Sequence, residues 1–339
     1  MAGPLSGTAT SPPAGPDAAI RRPARRLLSG ALRLTGLVAR RLLLLAVLLA
    51  AVFAAVELLP GDAASATSER GESAADRERR RVLLGLDRPV ATRFAEWMTG
   101  LPTGDLGTTA RGEPVAELLA RPFPNTLLLG GIALLVTLAA SVALGCWAAL
   151  RPGGRTDRAV SATATGVLAL PEFVVAVALV LVFALWTGWL PAVTLTGPDG
   201  SPADWTMLVL PVLALSIPQI GWNTRIVRAA LADEARAPHV ETAVIDGLPR
   251  HRILTHHLLP GAMPTVAAGI ATSTGMLLGG AVVVETVFNY PGIGSVLAGA
   301  VTDRDGPLVA AVVAVTGAVI TGVLLLADLV RARASGGRV

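Results

Sequence analysis

The chain has 339 residues, 53% of them hydrophobic and 15% charged, with a mean hydropathy of +0.62 and a formal charge of +4. That balance excludes an ordinary soluble domain, where charged residues make up about a quarter, and six nearly uncharged runs of membrane-spanning length indicate an all-α, polytopic membrane protein. All 28 basic residues are arginine, so no lysine is present to build a Walker A phosphate loop, and the lone Cys146 excludes an intrachain disulfide.

Residues 1–38 read as a disordered cytoplasmic extension rich in arginine and proline, with Pro4, Pro12, Pro13, Pro16 and Pro23 among small residues that cannot bury a core. The first transmembrane helix is expected within 39–60, its apolar part at 42–59 flanked by Arg40 and Arg41 and stopped by Leu59-Pro60-Gly61-Asp62. A signal peptide is the rival reading. The run is long for a signal core and lacks a small-residue cleavage site, which favours an uncleaved span.

Residues 61–125 form a mixed-charge extracytoplasmic segment, and 126–331 hold five further spans. A spanning helix needs about 20 apolar residues. The runs at 126–150, 159–187, 205–224, 261–284 and 306–327 meet that length. The third carries Glu172 beside Pro171, the fourth holds Pro211 and Pro218 and is expected to kink, and the fifth runs on to Glu285. Residues 332–339 are a short tail. Glu57, Glu172, Glu285 and Asp328 lie near predicted span ends, where water or headgroups reach them.

Orientation follows from the arginines of the short loops. Seven arginines precede the first span, Arg151, Arg155 and Arg158 follow the second, and Arg331, Arg333 and Arg338 follow the sixth. The loop between the third and fourth spans has Asp199 and Asp204 and no arginine. Both termini are therefore expected in the cytoplasm. The same distribution accounts for the basic pI without nucleic acid.

The cytoplasmic loop 225–260 carries the chemistry. An arginine-rich helix over 225–236 is followed, after Pro238, by a short helix ending at Gly247, a residue suited to a left-handed C-cap, with Pro249 in the first turn of the next helix. Val240, Ala243 and Val244 share one face at helical spacing. Such a projecting elbow suits a partner protein. All four histidines, His239, His251, His256 and His257, fall in this loop, but no cysteine accompanies them and no metal site is expected.

Glu241-Thr242-Ala243, then three residues, Gly247, nine residues and His257-Leu258-Leu259-Pro260 resemble the EAA loop of ABC-importer permeases. Thr242 and His257 stand where alanine and isoleucine are usual. Leu58 to Asp62, Leu84 to Pro89, Gly104 to Gly107, Val284 to Phe288 and Tyr290 to Gly294 resemble, in order, landmarks of the dipeptide/oligopeptide/nickel permease family. The resemblance implies a MetI-like ABC permease core in the cell inner membrane. It implies a second permease in a heterodimer, two cytoplasmic ABC ATPase subunits and an extracytoplasmic solute-binding protein, with peptides as the expected cargo and no cofactor. It makes Glu241, Thr242, Ala243, Gly247, Leu259 and Pro260 the ATPase-coupling residues.

Thr272, Ser273 and Thr274 are candidates either to line a translocation path or to hydrogen-bond neighbouring helices. Gly275 and Gly279 form a small-xxx-small pair suited to close helix contact. A gradient-driven secondary transporter is the alternative, with Pro171-Glu172 and the prolines of span four as its only carriers. No zinc-protease or nucleophile-elbow motif is present, so the chain is not expected to be an enzyme.

Overall fold

The structure, a computed structural model, describes residues 16–58, 64 and 73–336. The chain divides into two units, Met1–Ala46 and Val47–Val339. The described residues of the first unit belong to helix α1, Pro16–Glu57, whose apolar, span-like part begins at Thr35. Residues 16–38, assigned from composition to a disordered extension, are thus helical, while 1–15 and the Leu59 to Asp62 turn lie outside the described residues.

The second unit also holds α2 (Ala74–Leu83), α3 (Val90–Gly100), α4 (Val115–Ala120), α5 (Pro122–Ala149), α6 (Arg155–Leu168), α7 (Glu172–Leu179), α8 (Val209–Glu234), α9 (Pro238–Ile245), α10 (Arg250–Ile253), α11 (Leu259–Val287), α12 (Ile293–Thr302) and α13 (Gly306–Gly336). Among the described residues, five helical stretches are long and apolar enough to cross a membrane, and six if one bent pair counts as a span.

That pair lies where the third span is expected, and here the sequence expectation needs correction. The run 159–187 is not one helix: α6 ends at Leu168, α7 starts at Glu172, and the two axes meet at 99°. Pro171 supplies the cause. It has no N–H to continue the α6 ladder, and its ring disfavours helical geometry at Leu170. Beyond α7 the backbone widens into a π-helical stretch, Val180–Trp186. The fourth span deviates in the other direction. α8 runs unbroken through Pro218 to Glu234, so residues 225–234, expected as a separate loop helix, extend the span itself.

Helix α8 sits at the centre, packed against α5, α6, α7 and α11. Its Leu210 and Leu215 join Leu129, Leu277, Phe288 and Tyr290 in one buried apolar cluster. Two glycines permit the close packing: a Cβ on Gly145 would meet the Val227 side chain, and one on Gly221 would lie 2.6 Å from the Ala164 carbonyl. The Gly275/Gly279 pair behaves differently. A Cβ on Gly275 would make ordinary contact with Ile320, and one on Gly279 would meet nothing within 4 Å.

Before α5, Phe53, Phe94 and Trp97 stack in a tilted trio with centroids 5.6–6.3 Å apart. Trp97 Nε1 donates to the Leu106 carbonyl at 3.0 Å, and Arg93 pairs with Glu57 at 3.2 Å. Aromatic rings with a satisfied polar tip suit an interface between apolar and wet surroundings.

Candidate functional site

Pro238 opens α9 from its first turn, where a missing N–H costs nothing. At the other end the Gly247 N–H donates to Val244 O (3.1 Å) and the Leu248 N–H to Ala243 O (3.2 Å). With Gly247 at φ +71° this is a Schellman cap, and Leu248 closes it by packing on Val240, Ala243 and Ile253. Pro249 takes the N-cap position of α10, one residue earlier than the sequence suggests. The buried face of α9 is Val240 and Ala243; Val244, expected to share it, is 59% exposed and Ile245 79%. Glu241, Thr242 and Gly247 are exposed as well. The result is a short helix fixed on one side and presenting two bare aliphatic side chains beside a carboxylate on the other.

The elbow is tied tightly at both ends. Residues 235–237 link it to α8 through N–H donations from Ala235 to Leu231 O, Arg236 to Asp233 O and Ala237 to Glu234 O, at 3.0, 3.2 and 2.9 Å. On the far side α10 continues through a π-helical turn, Leu254–Leu258, into α11. Leu259 is half-buried at the start of α11 and Pro260 is exposed beside it. His239 and His257 bring their rings to 6.2 Å, and His239 Nε2 lies 3.6 Å from Glu234. Nearby, Asp157 at the start of α6 is paired with Arg228 of α8 through Nε and, at 2.8 Å, Nη2, and also accepts the Gly153 N–H at 2.9 Å.

The opposite end of α11 is fastened by a polar knot among apolar helices. Glu285, expected near water, is fully buried and accepts from Thr126 Oγ1 and the Gly294 N–H, both at 2.6 Å. Thr126 in turn accepts the Ile293 N–H at 2.9 Å. Asn125 donates to Pro291 O and Gly200 O at 2.8 Å and accepts the Tyr290 hydroxyl at 2.9 Å. Every polar group named here finds a partner, as burial requires. The sequence motif 284–294 pointed to the segment; the Thr126 and Asn125 partners, on a helix far earlier in the chain, had no local signal.

The three path candidates do not share a face. Ser273 is fully buried and accepts from Asn223 Nδ2 at 2.6 Å, Thr274 is buried and donates to Ile270 O, and Thr272 is exposed. Thr265, Thr272, Met276, Gly279 and Val283 form an exposed stripe along α11 at helical spacing. The uncovered side of α8 carries Trp222, Arg225 and Ala229, which with Ser161 and Thr165 line a cavity of about 370 Å³.

Residues 141–335 match the family described as binding-protein-dependent transport system inner membrane component. A probable peptide ABC transporter permease protein of Sinorhizobium fredii is 31% identical over 282 residues, covering 82% of this chain and 90% of that protein. A glutathione transport system permease protein of Pectobacterium atrosepticum is 32% identical over 301 residues, covering 88% and 95%. Among solved structures, the inward-facing MetNI methionine ABC transporter has a chain of similar fold, with a TM-score of 0.51 at 17% identity over 64% of this chain and 96% of that one.

Proposed function

The chain belongs to the binding-protein-dependent transport system inner membrane component family, and from that premise we propose that α9 is the element through which partner ATPases drive transport. Membership makes the chain a multi-pass permease subunit of an ATP-driven, binding-protein-dependent importer of the inner membrane, and sets aside the gradient-driven carrier. The observation that carries the α9 assignment is its division into a buried face, Val240 and Ala243, and an exposed one, Glu241, Val244 and Ile245. Bare aliphatic side chains on a clamped helix are suited to burial against a partner's surface.

The cargo in this reading is a peptide, in keeping with the names of the relatives. Both termini lie in the cytoplasm, as the arginine distribution favours, which puts α9 on the side where ATP is hydrolysed. Two ATPases dock there, a solute-binding protein delivers cargo at the other end, and a second, different permease covers the open side of α8 and α11. On that side Thr272 faces the path, with Ser273 behind it bracing Asn223.

The test is copurification of the tagged chain from its own cells, followed by ATP hydrolysis in reconstituted vesicles. The native protein is expected to bring an ATPase and a second permease. Glu241→Arg or Gly247→Pro is expected to lose the ATPase while keeping the second permease; retention of the ATPase with full transport-coupled hydrolysis in both variants would overturn the assignment.

A further inference from the structure

Acidic side chains within or beside the spans are costly unless paired or wet. Glu57 is paired with Arg93, Asp157 with Arg228, and Glu285 is held by Thr126 and Gly294. Glu172 differs. It lies at the break of the third span and is half-buried, and its side chain has no hydrogen bond or ion pair among the described residues. Its carboxylate rests against α11 at Gly280, where an added Cβ would come within 3.2 Å of Oε1. Gly280 lies seven residues before the end of α11 at Val287, so the carboxylate sits about 10 Å in from that end. Beside it on α11 are Met276, Gly279 and Val283 of the exposed stripe.

Three features therefore coincide: a carboxylate without a partner among the described residues, a glycine notch that lets it lie flush with α11, and a bordering surface that the described residues leave exposed. We infer that Glu172 is a cation-recognition point on the translocation path, taking the ammonium group of the permeant as it passes the break. The chemistry is selective. An ammonium matches the charge and offers three donors to an acceptor-only carboxylate, and one pairing of this kind weighs most where water is scarce. The helical break at Pro171 is what brings the carboxylate into the path, since an unbroken third span would continue along the α6 axis. The inference rests on the peptide reading above, because it needs a permeant with an amino terminus.

The experiment uses the whole importer, with its partner subunits and solute-binding protein, in vesicles. Uptake of trialanine is compared with that of N-acetyltrialanine for the native chain, Glu172→Gln and Glu172→Asp. The solute-binding protein is common to all three, so its own preference cancels in the ratio. Glu172→Gln is expected to lower trialanine uptake about tenfold, to leave N-acetyltrialanine uptake unchanged, and to keep the second permease on copurification; Glu172→Asp recovers part of the preference. An unchanged ratio, an equal loss for both peptides, or loss of the second permease would each overturn the inference while leaving the peptide reading intact. Failure of the native importer to take up either peptide would overturn the peptide reading, and the ammonium assignment with it.

Discussion

The Gly294 N–H donates to the Glu285 carboxylate at 2.6 Å, closing a turn so tight that a Cβ on Gly294 would lie 2.6 Å from Val282 Cα. Backbone does not yield as a flexible side chain does. Gly294→Ala is therefore expected to lower stability by about 1–3 kcal/mol, seen as a reduced Tm in detergent. Gly279→Ala is the control: its Cβ would meet nothing within 4 Å, and its Tm is expected to hold or rise slightly. Equal shifts for both would contradict the packing at residue 294.

The Asp157–Arg228 pair is asymmetric, with side-chain exposures of 3% and 40%. Asp157→Asn keeps one acceptor oxygen where two carboxylate oxygens accept from Arg228 and the Gly153 N–H, and turns the other into a donor facing the guanidinium. Asp157→Asn is expected to cost about 1–3 kcal/mol, and the loss in the Asp157→Asn/Arg228→Gln double variant should fall short of the sum of the singles. Strict additivity in denaturation of the purified protein would mean the two side chains act independently.

Position 247 separates conformation from contact. Its φ of +71° is strained for an L side chain, yet the space around it is open. Gly247→Ala should cost about 1 kcal/mol of local strain and Gly247→Asn less. Ile245→Asp, on the exposed face, should change global stability by no more than about 0.5 kcal/mol while releasing the ATPase. Unaltered ATPase recovery on pull-down of Ile245→Asp would remove α9 as the contact.

Asp305 caps α13, accepting the Leu308 N–H at 3.1 Å and the Ala110 N–H at 2.6 Å. Burial pushes its carboxyl above the usual carboxylate range, although the two N–H donors pull the other way. A carboxyl raised in the folded state favours folding while protonated, and that contribution fades as pH climbs through the raised value. Relative to Asp305→Asn, whose side chain also caps helices, the native protein should lose Tm as pH rises from about 4, with the difference levelling off above the raised value. A pH-independent difference would show that folding leaves the Asp305 carboxyl unshifted.

The helical class, the location of the spans and the α9 elbow were legible because each has a local cause: long apolar runs, Pro238 at the first turn and Gly247 at the cap. The third span was misread because hydropathy reports how apolar a run is, and 159–187 is apolar on both sides of Pro171. Val244 was misplaced because a short helix can bury only a narrow stripe, and the stripe is centred on Val240 and Ala243. The Glu285 knot was hidden for another reason. Its partners at 125 and 126 are distant in sequence, and only packing of α5 against α11 and α12 brings them to the carboxylate.

The links on either side of α9 have a mechanical consequence. Residues 235–237 are hydrogen-bonded back into α8, and α10 runs helically into α11, so in the coupling role proposed for it the elbow has little backlash. Under that proposal, a stroke delivered to α9 is passed to both α8 and α11. Play introduced at this joint would show as idling: fuel consumed on one side of the membrane with nothing moved across it.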